Sequence, residues 1–245
     1  MIIIPMAGMS SRFFNAGYDK PKYMLEARGV TLFEHSILSF KKYFSSERFL
    51  FIVKDIAGTK KFVNSKCIEL GIKKYDICVL EKNTRGQAET VALGLAYLQK
   101  ISSLNEESIT IFNIDTFRWG FSYPQLSASC DGYLEVFKGQ GDNWSFAKPA
   151  SSYTTEVIET AEKRPISNLC STGLYFFKTV KLYLDAYEHY QSLSSCKWDK
   201  GEIYVAPLYN YLIKNGYKIH YNLIDKDAVI FCGVPDEYIE FKTNV

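Results

Sequence analysis

The feature that most constrains this chain is an alternation, repeated through its first 116 residues, of short apolar runs with longer segments of helical period. Residues 2–5 (IIIP), 48–54 (RFLFIVK), 76–80 (DICVL) and 108–115 (SITIFNID) are rich in β-branched and aromatic side chains. Near-continuous apolar runs of this length suit strands buried on both faces. Between them, residues 31–43, 60–70 and 86–99 place apolar side chains on one helical face, as Val91, Leu95 and Leu98 do. The alternation predicts an α/β fold, a doubly wound, mixed and mainly parallel sheet with ligands at the carboxyl ends of its strands.

Beyond residue 116 the pattern loosens. Residues 131–137, 145–148, 154–159, 171–178 and 217–223 read as strands, some antiparallel, and 182–190 and 203–215 as helices. There is no internal repeat and no Pro-, Gly- or Ser-rich linker, so one domain over 1–245 with an elaborated second half is the economical reading. A hydrophobic fraction of 47% excludes disorder. A net charge of +2 leaves no field to draw the chain to nucleic acid or an anionic membrane. The six cysteines form no C-x-x-C pair and lie far from the three histidines, which favours buried, reduced thiols over disulfides or zinc. Residues 1–7 lack a basic leader and are too short for a signal peptide, and no segment approaches ~20 apolar residues. A cytoplasmic protein is expected.

The most informative stretch follows the first apolar run: Gly8-Met-Ser-Ser-Arg12, then Asp19-Lys-Pro-Lys22. A strand feeding a loop of small residues can aim backbone N–H groups at phosphate oxygens. Arg12 offers a planar fork and Lys22 a compact point charge, presented by a segment that Pro21 stiffens. The plainer alternative is a surface turn with incidental basic residues. Neither the P-loop pattern nor Gly-x-Gly-x-x-Gly fits here, so those two phosphate loops are excluded.

From Ile2 to Lys22 the chain resembles the signature of the sugar-phosphate nucleotidylyltransferases, Ala/Gly-Gly-x-Gly-Ser/Thr-Arg followed by Pro-Lys. Ser10 stands where the second glycine is usual. Three later segments follow in the family's order: Thr84-Arg-Gly86-Gln87-Ala-Glu-Thr-Val91, Asn113-Ile-Asp115, and Glu162-Lys163 with Thr172-Gly173-Leu-Tyr175. Asn143-Trp144-Ser-Phe-Ala-Lys148 resembles the strand preceding the last of these. Gly201-Glu202-Ile-Tyr-Val-Ala-Pro-Leu-Tyr209-Asn210 and Gly233-Val-Pro-Asp236 resemble a small, single-domain branch found with capsular and surface-polysaccharide pathways. The likeness covers residues 2–241.

The resemblance implies a Rossmann-like fold with a nucleotide-binding half at 1–116 and an acceptor-binding half at 117–245. It implies that Ala7, Gly8, Met9, Ser10 and Ser11 wrap a triphosphate, with Arg12 and Lys22 as the catalytic cations. Gly86, Gln87 and Asn113 would contact the nucleotide, and Asp115 would hold Mg2+ through carboxylate oxygen. Trp144, Glu162, Lys163, Thr172 and Gly173 would form the acceptor site. Many members carry a second metal-binding aspartate where this chain has Phe231; Asp225 or Asp227 is a substitute, or Asp115 works with phosphates and water alone.

The implied reaction joins a nucleoside monophosphate from an NTP, a pyrimidine one by the habit of small members, to a phosphorylated small molecule such as a sugar 1-phosphate, releasing pyrophosphate. An ionised phosphate nucleophile needs no general base, which agrees with a residue set of Arg, Lys and Asp. The rivals are a CTP-dependent enzyme acting on phosphocholine or a phosphorylated amino acid, a nucleotide-sugar glycosyltransferase, and a silent nucleotide-binding module. Oligomeric state is open.

Overall fold

The computed structural model describes residues 1–100 and 103–243. It is α/β, with a mixed, mainly parallel sheet and helices, the class the alternation predicts. Two compact units interleave along the chain. The N-terminal unit comprises Ile2–Asn83, Phe112–Ser122 and Asp227–Val245; the middle unit comprises Met1, Thr84–Ile111 and Tyr123–Lys226.

In the N-terminal unit, strands Ile2–Met6, Arg48–Val53 and Lys74–Val79 run parallel, with Ile2 opposite Phe49 and Arg48 opposite Lys74. Ile2, Ile3, Ile4 and Phe49 to Val53 are wholly buried, as their unbroken apolar character requires. Each such side chain contributes about 1.5–3 kcal/mol. Helix Leu32–Ile37 begins at a capping box: Thr31 Oγ1 accepts the Glu34 N–H, and the Glu34 carboxylate accepts the Thr31 N–H at 2.9 Å. The single helix expected over 31–43 gives way after Ile37 to a 3₁₀ turn, Leu38–Tyr43, in which Phe40 leaves helical geometry (φ −104°, ψ 18°). Packing decides this, because Phe40 is fully buried with its ring edge-on to Phe112 at 5.0 Å.

The strand expected over 108–115 stops at Phe112, and Asn113 and Asp115 lie in the turn that follows. The Thr116 N–H bonds back to the Asn113 carbonyl, and strand Thr116–Phe117 pairs antiparallel with Ile230–Phe231. Helix Pro235–Thr243 then buries Tyr238 and Phe241 in a cluster with Phe13, Leu25, Leu32, Phe117 and Cys232. That cluster anchors the start of the chain to its end.

The middle unit is built on strand Leu169–Phe177, all nine residues buried, antiparallel to Gly132–Lys138. Ile219–Leu223 runs parallel to Gly132–Lys138, and Val157–Glu162 pairs antiparallel with Ser145–Pro149. The strand expected over 154–159 thus sits three residues later, in the register that sets Glu162 opposite Ser145. The helix expected over 203–215 begins only at Tyr209. Its predicted first turn is used elsewhere: the Ile203 N–H bonds to the Arg85 carbonyl, and the Ile203 carbonyl accepts from Ala88. Helices Gln87–Gln99 and Val180–Ser192 complete the unit.

Among the described residues five cysteines are buried free thiols and Cys196 is an exposed one. No described helix is long and apolar enough to cross a membrane.

Candidate active site

Strand Ile2–Met6 delivers the chain into the loop at Ala7, Gly8 and Met9, with Gly8 and Met9 exposed. The loop's left-handed residue is Ser10 (φ 51°, ψ 28°), at the position where the related signature has glycine. A β-carbon in that conformation costs about 1 kcal/mol. Ser10 compensates in part through its side chain, since its Oγ accepts the Lys22 N–H at 3.2 Å. Its carbonyl also receives the Phe13 and Phe14 N–H groups, which start the short helix Ser11–Asn15. Phe13 is sunk in the apolar cluster while Ser11 and Arg12, on the same turn, face solvent.

Lys22 opens a 3₁₀ turn after Pro21. Its Nζ lies 2.5 Å from Asp115 Oδ2, with the two side chains 21% and 24% exposed. A partly solvated pair of this kind can be exchanged for other partners at modest cost. Asn113, two residues before Asp115, receives the Ser36 hydroxyl on its carbonyl. The Cys232 N–H donates to the Asp115 carbonyl at 2.8 Å, which fixes the turn against the chain's C-terminal part. Burial pushes the Cys232 thiol up to about 12, with the Glu237 and Asp115 carboxylates adding to the rise.

In the middle unit, Gly86 precedes helix Gln87–Gln99 at φ 146°. A β-carbon there would stand 2.5 Å from the Ile203 carbonyl oxygen, so no other residue fits without moving backbone. Thr84 does not cap the helix; its hydroxyl bonds to Thr90 at 2.7 Å. Glu89 accepts the Arg85 N–H and guanidinium instead, and Gln87 occupies the first helical position, half-buried.

The residues expected to hold an acceptor divide into two groups. Trp144, Glu162 and Lys163 come together: the Lys163 N–H donates to the Trp144 carbonyl at 2.8 Å, and Ser145 Oγ donates to the Glu162 carboxylate. Ser145 Oγ is also 3.0 Å from the Tyr175 hydroxyl. Lys163 is left-handed (φ 51°), and its Nζ reaches the Tyr204 hydroxyl at 2.6 Å. Burial raises the Glu162 carboxyl above its usual range; Ser145 and Lys163 offset this, while Asp199 and Glu202 reinforce it. Burial likewise carries the Tyr175 phenol to about 12. Thr172 behaves differently. Its hydroxyl donates to the buried Glu135 side chain at 3.3 Å, across the pairing with Gly132–Lys138. Gly173 (φ 87°) sits at the irregularity in that pairing.

The chain is similar over its whole length to a nucleoside-diphosphate-sugar pyrophosphorylase from Vibrio cholerae RC9, with 58% identity, 100% of both chains covered and a TM-score of 0.96. The chain belongs to the nucleoside-diphosphate-sugar pyrophosphorylase family. It is a nucleotidyltransferase. The family's fold recurs in the inositol-1-phosphate CTP transferase from T. maritima, at 17% identity and TM-score 0.70 over 96% of this chain and 89% of that one. It recurs also in a UDP-glucose pyrophosphorylase complexed with UDP-glucose, at 15% identity and TM-score 0.72 over 98% and 96%. No protein-family model and no curated protein matches the chain.

Ser145, Asp199 and Glu237 are not among the residues that the sequence motifs mark. Asp199 accepts the Glu162 N–H, which lies 37 positions away in sequence. Glu237 accepts the Gly233 and Val234 N–H groups. Only the pairing of Glu162 with Ser145, set by strand register, could have pointed to the first of them. Asp225 and Asp227, the sequence's substitutes for a second metal ligand, are exposed.

Proposed function

We propose that this chain transfers a nucleoside monophosphate from an NTP to a phosphorylated small molecule and releases pyrophosphate. The observation that carries the reading is the Lys22–Asp115 pair, which places the cation of the loop segment against the carboxylate beyond strand Ile109–Phe112. In this reading Ala7, Gly8, Met9, Ser10 and Ser11 present N–H groups to the triphosphate, and Arg12, exposed on the loop helix, folds onto its outer phosphates. Lys22 leaves Asp115 for the α-phosphate, where it offsets charge as the acceptor oxygen attacks in line. Gln87 and Asn113 contact the nucleoside, with Gly86 allowing close approach.

Asp115 would supply the hard carboxylate oxygen that Mg2+ takes, and with glycine at 233 no β-carbon crowds its Oδ2. When bound there, the ion supplies neutralising charge to the phosphates. Trp144, Glu162 and Lys163 hold the acceptor, Lys163 at its phosphate and Glu162 at a polar group, while Thr172 and Gly173 shape the strand behind them. A sugar 1-phosphate acceptor follows the family, with the product entering surface-polysaccharide assembly in the cytoplasm and a pyrimidine as the base.

One observation favours a second acceptor class. Glu162 feels the negative charges of both Asp199 and Glu202, and Tyr190 and Tyr204 feel Glu162 in turn. Carboxylates among aromatic rings suit a cationic or amine-bearing phosphate such as phosphocholine. Incubating each NTP with sugar 1-phosphates, phosphocholine and phosphorylated amino acids, with Mg2+, and following pyrophosphate release separates the two. Hydrolysis of NDP-sugars with no pyrophosphate from any pair would defeat both.

A further inference from the structure

Arg85 stands next to Gly86 and Gln87, yet its side chain is spent on other parts of the middle unit. Its Nε donates to Glu89 Oε1 at 2.7 Å, and its Nη2 donates to Gln191 Oε1 at 3.1 Å and to the Tyr187 hydroxyl at 3.4 Å. The guanidinium carbon lies 5.4 Å from the centroid of the Trp198 ring. A planar fork of donors can meet two helices and an aromatic face at once, which a lysine ammonium cannot.

Trp198 begins a segment, residues 198–204, that depends on outside contacts. Its regular structure is one 3₁₀ turn, Asp199–Gly201, in which Lys200 (φ 52°) and Gly201 (φ 75°) are both left-handed. The Trp198 indole N–H is used by the Tyr190 carbonyl at 3.1 Å, so the ring face is what Arg85 holds. The segment connects the two groups of residues assigned to the substrates. The Ile203 N–H bonds to the Arg85 carbonyl and the Ile203 carbonyl accepts from Ala88, on either side of Gly86 and Gln87. The Asp199 carboxylate accepts the Glu162 N–H, and the Tyr204 hydroxyl takes Lys163 Nζ at 2.6 Å.

We propose that Arg85 is a positioning residue for the acceptor: by clamping Trp198 it fixes residues 198–204, which through Asp199 and Tyr204 set Glu162 and Lys163. This rests on the assignment of Glu162 and Lys163 to the acceptor. The nucleotide side feels the loss of the Arg85 side chain far less. There the bonds are made by the Arg85 backbone, its N–H to Glu89 and its carbonyl to Ile203, and they survive truncation.

Two readouts on the full chain test the clamp. The first is amide hydrogen exchange without substrate. In Arg85→Ala the Glu162 and Ile203 N–H groups should exchange about tenfold faster than in the parent. Arg85→Lys keeps a positive charge for Glu89 but not the fork, and should show the same change. The second is the split between Michaelis constants, measured with the NTP and acceptor phosphate that release most pyrophosphate in the screen above. In Arg85→Ala the acceptor KM should rise about tenfold, with the NTP KM and kcat within about twofold of the parent. Trp198→Leu should do the same, and the double variant should add nothing, because both substitutions cut one contact. Lys181→Ala, which breaks an exposed pair with Asp185 on helix Val180–Ser192, should match the parent in both readouts. Unchanged exchange at Glu162 in Arg85→Ala, or an equal rise in both KM values, overturns the proposal. So does an unchanged acceptor KM in Arg85→Ala where Lys163→Ala raises it. An unchanged acceptor KM in Lys163→Ala overturns instead the reading beneath.

Discussion

The two units hold their charged residues in opposite ways. In the N-terminal unit Lys22 and Asp115 are each about a quarter exposed or less, and they neutralise each other. In the middle unit Glu162 is buried and meets Ser145, with two further carboxylates nearby and Lys163 turned to a phenol. Each set of charged residues also includes or adjoins a non-glycine residue in left-handed geometry, Ser10 in the first and Lys163 in the second, both at φ 51°. Strain of that kind, about 1–3 kcal/mol, persists only where surrounding bonds over-determine it. The contrast teaches that one region stores charge as an exchangeable ion pair and the other as a desolvated acid. The first suits a polyanion that competes for the lysine. The second suits a ligand that brings its own compensating hydrogen bonds or positive charge.

The comparison breaks first at Lys22. Lys22→Ala should lower turnover by about 10²–10³-fold, roughly 2.7–4 kcal/mol of barrier, in a pyrophosphate-release assay. Turnover at the parent's rate would remove the exchangeable pair from the mechanism. The next effect belongs to the middle unit and reads stability. Gly86→Ala forces a β-carbon into the Ile203 backbone at a φ that resists it, at a cost of about 3 kcal/mol. The melting temperature should drop by about 10 °C; a drop under 2 °C would show that the segment relaxes freely.

Glu162→Gln sharpens the contrast because its two effects oppose. Burial raises the folded-state carboxyl above its ordinary value of 4.5, so the charged form weakens the folded protein at neutral pH. The amide should therefore melt about 2–4 °C higher at pH 7 while turning over more slowly. As pH falls through the raised value toward 4.5, the parent takes up its proton and the gap should close. A gap that widens on acidification would reverse the assignment. The smallest effect is a control in the N-terminal unit. Thr31→Ala removes one half of the capping box, costing about 1 kcal/mol and 2–4 °C of melting temperature, with turnover unchanged. Lost turnover there would mean that the unit's stability and its ion pair are coupled.

Much of this was legible in the residues. Ile2 to Ile4 and Phe49 to Val53 are apolar without interruption, and only strands covered on both faces tolerate that, so the α/β class followed from local composition. Gly8, Arg12, Lys22 and Asp115 were legible as a set because their order along the chain is that of a family motif. Boundaries were not. Phe40 leaves the helix because a ring must fill the space beside Phe112, and Ile203 stays outside the helix because the backbone on either side of Gly86 claims its hydrogen bonds. Such outcomes depend on residues scores of positions away, which no local periodicity encodes.

The sequence alone therefore determined the fold class and the chemistry class, since each is written in contiguous side chains. Tertiary structure alone decided that Lys22 pairs with Asp115 and that Thr172 turns to Glu135. The physical reason is distance along the chain. A carboxylate's partner is whatever folding brings within hydrogen-bond reach, and 93 positions separate Lys22 from Asp115.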